Sequence, residues 1–223
     1  MPPSAASQKG HDMYLGRIVA IGRTLAGRNA AMYRVSSRSF PNREAVMKGG
    51  FLAVMPRAGF EGDLQKNPYI TYNCLRLAGD FAVVSNGSQT DPVAEKIAMG
   101  MPVRDAMALV LTAMDFEKDA LDTPRIVAAC HRTEPYGYLG IVRRDAVLVR
   151  RLELAPGRVF HLSTYEHNYP CESFGGEGFD AADAAAAVEY VLRGGEFADF
   201  EKPVTAAAAL TEGDTFAIAS ANA

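Results

Sequence analysis

Ten consecutive residues, Arg34-Val35-Ser36-Ser37-Arg38-Ser39-Phe40-Pro41-Asn42-Arg43, set three arginines, three serines and an asparagine around one aromatic. Most of these side chains donate hydrogen bonds, and a guanidinium keeps its charge at any ordinary pH. Bidentate arginine contacts supplemented by serine hydroxyls match the geometry of a phosphate. Arg34, Ser36, Ser37 and Arg38 are therefore the candidate anion ligands, although a turn of solvated arginines has the same composition. A second grouping, Asp115-Phe116-Glu117-Lys118-Asp119, gathers three carboxylates at the end of a predicted helix. The negative end of the helix dipole and loss of solvent both raise a carboxylate pKa there, which makes Glu117 a candidate general base. The plainer alternative is a solvated acidic helix end partnered by Lys118. Tyr72 stands on a predicted strand with Asn73 on the opposite face. Its phenol can donate a proton, or can be a core hydroxyl already satisfied. Asn86 and Ser88 follow an apolar strand and can reach a ligand, or build an Asn-Gly turn. Arg17 and Arg125 are further basic candidates.

These groups need strands to hold them. Residues 13–23 read as a strand, 25–29 as a hairpin turn and 30–36 as the returning strand, which ends where the arginine-serine segment begins. Residues 51–56 form a further strand, and 69–77 pairs with 81–85 across Ala78-Gly79-Asp80. Asp91 as N-cap, with Pro92 at the first helical position, opens a helix that Gly100 ends. A second helix covers 103–117; it is apolar on every side over 106–111, which predicts burial on several faces. Strands resume at 138–143 and 146–151, hinged at Arg144-Asp145, and at 159–165, before a Gly-, Glu- and Phe-rich loop at 168–179. A last helix spans 181–193, stopped by Gly194-Gly195, and 206–210 with 215–219 form a closing hairpin. Strands at such short spacing predict antiparallel sheet. Two sheets packed face to face with helices outside each would bury every apolar face. The expected fold is thus α+β, a four-layer α-β-β-α sandwich.

With 223 residues, 48% hydrophobic and 22% charged, the chain has the composition of one soluble globular domain. We expect that domain over 13–223, after a disordered extension at 1–12. The formal net charge of −3 argues against a nucleic-acid partner, which needs a basic excess. No apolar run approaches the length of a membrane span. Cys74, Cys130 and Cys171 form no C-x-x-C pair and no zinc-ligand spacing with the histidines. Neither a metal site nor a disulfide framework is predicted, and a reducing cytoplasm fits.

Taken in order, several segments resemble the archaeal-type IMP cyclohydrolase family. They are Met13-Tyr14-Leu15-Gly16-Arg17, the whole arginine-serine segment, Asn67-Pro68-Tyr69-Ile70 with Tyr72-Asn73-Cys74, and Val84-Ser85-Asn86-Gly87-Ser88. Further along come Ala113-Met114-Asp115-Phe116-Glu117-Lys118-Asp119, Thr123-Pro124-Arg125-Ile126, Gly194-Gly195-Glu196-Phe197-Ala198 and Pro203-Val204-Thr205-Ala206-Ala207-Ala208. The spacing is consistent from Met13 to about Leu210, and the match is weakest over 131–180. The resemblance implies a fold similar to the sandwich of N-terminal nucleophile hydrolases, and a homo-oligomer. It also implies an activity, closing formyl-AICAR (a formamido-imidazole-carboxamide ribonucleotide) to IMP with loss of water, the last step of purine synthesis. Its implied catalytic positions are Arg43, Tyr72 and Glu117.

In that reaction a carboxamide nitrogen attacks a formyl carbon carried on the same ring, so much of the entropy is already removed. What remains is a base for the amide proton, for which Glu117 is the candidate, and a donor to the formyl oxygen, for which Tyr72 is. Arg43 would support the developing oxyanion. Arg34, Ser36, Ser37 and Arg38 would take the phosphate, and Asn42, Asn73, Asn86 and Ser88 are the other substrate-binding candidates. No metal or organic cofactor is needed. Two rival readings are an N-terminal nucleophile amidohydrolase, for which no nucleophile sits at a plausible processed start, and a purine-nucleotide binding protein without turnover.

Overall fold

Apolar residues along β1 (Arg17–Arg23) and β2 (Asn29–Ser36) are buried on both strand faces, so neither strand can lie at a solvated surface. The computed structural model, which describes residues 14–223, accounts for this by packing each strand between two apolar layers. The chain continues through β3 (Arg43–Lys48), β4 (Phe51–Pro56), α1 (Asp63–Lys66), β5 (Tyr72–Ala78), β6 (Phe81–Ser85), α2 (Thr90–Ala98) and α3 (Val103–Met114). It then forms β7 (Arg125–His131), β8 (Tyr136–Arg143), β9 (Ala146–Glu153), β10 (Val159–Ser163), β11 (Gly175–Gly176), α4 (Ala184–Arg193), β12 (Pro203–Glu212) and β13 (Thr215–Asn222). Six strands form one sheet in the order β11-β10-β1-β2-β12-β13, and seven form the other, β3 through β9 in sequence. The pairings are antiparallel, as the short turns between strands require.

Three apolar clusters separate four layers. Val19, Tyr33 and Leu162 of the first sheet meet Val54, Tyr72 and Ile126 of the second between the sheets. Ile18, Ala20 and Met32 on the outer face of the six-stranded sheet pack under Ala187, Val188 and Val191 of α4. Val83 and Val127 on the outer face of the seven-stranded sheet pack under Val93 of α2 and Ala106 and Met107 of α3. Each large side chain so buried contributes about 1.5–3 kcal/mol of transfer free energy. The α-β-β-α layering expected from the strand and turn signals is therefore the architecture observed. Among the described residues no helix is long and apolar enough to cross a membrane.

Several local expectations are corrected. β3 and β7 were not anticipated, and the residues before Tyr72 form a 3-10 turn over Pro68–Ile70, not the start of a strand. Asp91 lies inside α2 and caps nothing; its carboxylate accepts from Asn73 and Arg76. The helix predicted over 103–117 stops at Met114, because Asp115 turns into the left-handed region at φ 56°. It is buried on one face, through Val103, Ala106, Met107, Val110 and Leu111, not on several, and Leu109 remains 49% exposed. The expected extension at 1–12 lies outside the described residues.

The alternation of strand directions brings a particular set of ends together. The starts of β1, β3, β5, β7 and β12 and the ends of β2, β6 and β10 all fall at one end of the sandwich. Candidate functional side chains from well-separated parts of the chain converge there.

Candidate active site

Glu117 is placed by a loop that closes on itself. After α3, the Asp115 side chain accepts from the Phe116 amide, and the Glu117 amide donates to the Thr123 carbonyl at 2.8 Å. The Asp119 carboxylate accepts from the Leu121 and Thr123 amides and the Thr123 hydroxyl. Arg125 Nε, at the start of β7, ties the loop down through the Asp115 carbonyl at 2.9 Å. Glu117 is thereby turned inward and left 1% exposed. Lys118 pairs instead with Asp115 at 2.5 Å, which removes the solvated-pair reading of Glu117.

Around that carboxyl stand guanidiniums from both sheets. Arg17 Nη2, from the start of β1, donates to Oε2 at 3.1 Å, and Arg125 Nη1 lies 3.8 Å from Oε1, too far for a hydrogen bond. Oε1 is buried with no hydrogen-bond donor among the described residues. Burial pushes the Glu117 carboxyl up to about 7, against the pull of Arg17 and Arg125 and with a small push from Asp119. Of the two causes expected from the sequence, loss of solvent is the one that acts and the helix dipole is not, since Glu117 lies beyond the helix. A buried carboxyl of this pKa, with one oxygen free, is suited to taking a proton near neutrality.

Two glycines make room for this arrangement. Gly16 sits at φ +73°, and a Cβ there would lie 2.3 Å from the Thr164 hydroxyl, so the chain reaches Arg17 by a path closed to other residues. At Gly87 an added Cβ would come within 2.6 Å of Gln89 Oε1, 2.9 Å of Arg125 Nη1 and 3.4 Å of Glu117 Oε1.

Above the carboxyl lies a cavity of about 380 Å³. Arg17, Arg43, Glu117 and Asp119 contribute to its walls, Ser37, Arg38 and Phe40 form one rim, and Tyr14, Tyr69 and Tyr165 supply aromatic faces. Arg43 is 3% exposed, with Nε donating to the Phe40 carbonyl at 3.1 Å, which folds the segment between β2 and β3 over the cavity. Tyr72 does not line the cavity. Its hydroxyl lies at 2.6 Å from that of Tyr33, across the space between the sheets. Burial raises the pKa of both phenols; the Arg43 and Arg17 charges pull that of Tyr72 back down, which places its hydroxyl within their field.

Of the sequence-derived candidates, Arg17, Arg43, Glu117, Ser37 and Arg38 are thus brought to one cavity, with Tyr72 next to it and Arg125 3.8 Å from Glu117. Arg34, Ser36, Asn42, Asn73, Asn86 and Ser88 do not line it. Arg34 and Ser36 do share a face of β2, but it is the face toward α4. Arg34 is fully buried, with Nε donating to the Ser36 hydroxyl at 3.0 Å. Its remaining donors reach the carbonyls of Leu192, Phe197, Phe200 and Glu201, past the C-terminal end of α4. Burial lowers its pKa to about 10. The expectation that Arg34 and Ser36 bind phosphate is therefore corrected. Strand alternation was read correctly, but both faces of β2 are covered. Substituting Arg34 by Met would strand those carbonyls, and a loss of roughly 3 kcal/mol is expected in urea unfolding. An unchanged midpoint would mean that the carbonyls find other donors.

Asn73 points to α2, donating to Asp91 at 3.0 Å. Asn86 is buried, donating to the Pro124 carbonyl and accepting from Gln89 and the Ile126 amide. It is linked to the site through Gln89, whose Oε1 accepts from Arg125 at 3.1 Å, and through its bonds to Pro124 and Ile126 on either side of Arg125. Ser88 is exposed and outside the cavity wall, and the Asn42 carbonyl accepts from the Arg57 amide. Tyr33 was missed by sequence reasoning, because nothing local marks a tyrosine whose partner is 39 residues away on the other sheet. Arg17 carried a signal, its place in the Met13-Tyr14-Leu15-Gly16-Arg17 motif, but its contact with Glu117 is visible only in three dimensions. Among the described residues no group of three or more His, Cys, Asp or Glu side chains is placed to hold a metal ion.

Comparison with known proteins bears on what the cavity does. A family model described as IMP cyclohydrolase-like protein matches residues 14–215. A protein of Methanosphaera stadtmanae named IMP cyclohydrolase is 47% identical over 200 residues, spanning 90% of this chain and 95% of its own. Proteins with the same name from Methanocella arvoryzae and Halobacterium salinarum are 48% and 49% identical. The first alignment spans 92% of this chain and 96% of the relative, the second 78% and 82%.

Proposed function

Because the chain belongs to the IMP cyclohydrolase-like family, we propose that it closes formyl-AICAR to IMP in the cavity above Glu117. The observation that carries this reading is the buried Glu117 carboxyl, with no hydrogen-bond partner for Oε1 among the described residues, in the wall of a cavity also lined by Arg17, Arg38 and Arg43. An anionic ligand of nucleotide size suits both the charge and the volume.

Glu117 Oε1 takes one proton from the carboxamide nitrogen as that nitrogen attacks the formyl carbon. The C–N bond forms while the formyl C=O opens to an alkoxide, which Arg43 stabilises by charge and the Tyr72 hydroxyl by its dipole. The alkoxide is protonated, the former formamide nitrogen gives up its proton, and the C–O bond breaks. The formyl oxygen thus leaves as water with one proton from each nitrogen, and no electrons enter or leave. Arg17 holds the carboxylate in register, and Arg38 with Ser37 on the rim takes the 5′-phosphate. Tyr69 and Tyr165 are the cavity-lining aromatics against which the heterocycle can stack. With this reading go an architecture akin to the N-terminal nucleophile sandwich, a cytoplasmic setting, to which three unpaired thiols are suited, and a homo-oligomer, which light scattering would report.

Purified protein given formyl-AICAR in the presence of chelator is expected to produce IMP, followed by absorbance; absence of product with IMP still bound would favour a nucleotide-binding protein. The pH profile adds a second check. A general base works only when deprotonated, so kcat/KM should rise tenfold per pH unit below about 7 and level off above it. A profile flat from pH 5.5 to 8.5 would remove Glu117 from the proton transfer.

A further inference from the structure

Arg34 is a buried cation whose partners are carbonyls and one hydroxyl, with no carboxylate among them. The carbonyls belong to the end of α4 and to the connection that leads from it to β12. The backbone of that connection is thus tied to one buried guanidinium, besides its own turn hydrogen bonds and the buried Phe197. At its far end Lys202 adopts φ 54°, a left-handed turn, and its carbonyl accepts from the Ser37 amide at 3.2 Å. The residue before it, Glu201, projects its carboxylate to Arg38. Nη2 of Arg38 donates to Oε1 at 3.0 Å and to Oε2 at 2.9 Å. The Glu201 side chain is 16% exposed and that of Arg38 54%.

Arg38 is held on two other sides. Its guanidinium lies over the Tyr14 ring, 4.3 Å from the centroid, and its amide donates to the Tyr14 hydroxyl at 3.3 Å. Among the described residues only Nη2 of the guanidinium is engaged, so Nε and Nη1 are available to a ligand in the cavity that Arg38 lines. An arginine side chain loses considerable rotamer entropy when it is fixed on a ligand. An arginine already fixed by a carboxylate loses less on binding, which raises affinity without any new contact to the ligand.

We propose that Glu201, carried on the Arg34-clamped connection between α4 and β12, is a positioning residue that aims the Arg38 guanidinium at the substrate phosphate. The inference rests on the reading of Arg38 as a phosphate ligand given above. It assigns to the chain's C-terminal half a part in substrate affinity that Glu201 plays without touching the substrate.

The test uses Glu201→Gln, Arg38→Ala and the double variant, with IMP and inosine as competitive inhibitors of turnover. In E201Q the KM for formyl-AICAR and the inhibition constant of IMP are expected to rise about tenfold. Both kcat and the inosine constant should stay within about twofold, because inosine carries no phosphate. The double variant should be no weaker than R38A alone, since Glu201 acts through Arg38. If R38A binds IMP as tightly as the parent, the phosphate lies elsewhere and the underlying reading fails. If R38A weakens IMP binding while E201Q does not, the role of Glu201 alone is overturned. Equal losses for IMP and inosine in E201Q, with a fall in kcat and thermal midpoint, would make Glu201 a purely structural residue and overturn it too.

Discussion

Glu117→Gln is expected to lower kcat about a thousandfold, within the range typical of losing a positioned general base, while IMP still binds. Glutamine has the shape of the protonated acid, and its amide oxygen can accept from Arg17 Nη2 where Oε2 accepts now at 3.1 Å. The two guanidiniums beside it keep their charge, so the cavity becomes more positive and its attraction for a nucleotide should hold or increase. The pH limb near 7 should vanish in the same variant, because the group that titrates there is gone. Stopped-flow or steady-state rates with IMP titrations on the same preparation check both halves. A rate within tenfold of the parent would transfer the proton to another group, and Asp119 on the cavity wall would be the next to examine.

Arg43→Ala is expected to cost about 10²–10³ in kcat, the usual range for removing a donor aimed at developing negative charge. Arg43 differs from Arg17 in having no carboxylate partner among the described residues: its Nε donates to the Phe40 carbonyl, and the residue lines the cavity. The charge on the formyl oxygen exists only after the nitrogen has attacked, so the loss should fall on kcat more than on KM. Arg43→Lys separates charge from geometry. Lysine keeps the cation but not the planar fork, and partial recovery of rate is expected. If R43A raises KM alone, Arg43 binds ground-state substrate and the oxyanion depends on Tyr72 and its neighbours.

The layer order could be read from the sequence because strand and turn signals are local. Gly27, Gly79 and Gly213 mark three hairpin turns with positive φ, and the helices fall between strand runs. What was missed has a physical reason in each case. β7, Arg125-Ile-Val-Ala-Ala-Cys-His131, is buried on both faces and so shows none of the alternation that marks a half-exposed strand. β3 begins with Arg43 and Glu44 and ends with Lys48, an edge strand whose polar residues read as loop. The helix before Glu117 was drawn too long because Glu and Lys favour helix, whereas the side-chain contacts of Asp115 favour a turn. In the site, residue types were legible and partners were not. Arg34 and Arg38 look alike in the string, yet one is spoken for by backbone carbonyls and the other opens on the cavity. The pairing of Tyr33 with Tyr72 joins two sheets, and no pattern along either strand encodes it.

That tyrosine pair has a consequence for how this enzyme can evolve or be engineered. Arg17 belongs to one sheet, Arg43 and Tyr72 to the other, and Glu117 to a loop leading into the second. In the proposed mechanism the distance across which they would cooperate is the thickness of the apolar filling between the sheets, with the Tyr33–Tyr72 hydroxyl contact as its gauge at that end. Interiors packed to crystal-like density respond to the gain or loss of one methylene. Swaps such as Ile for Val at Val19 or Val54, or Val for Leu at Leu162, in the core between the sheets, are therefore expected to act as spacers on the proposed site. On that mechanism sheet separation becomes a tunable coordinate of the reaction, set by core residues outside the cavity wall.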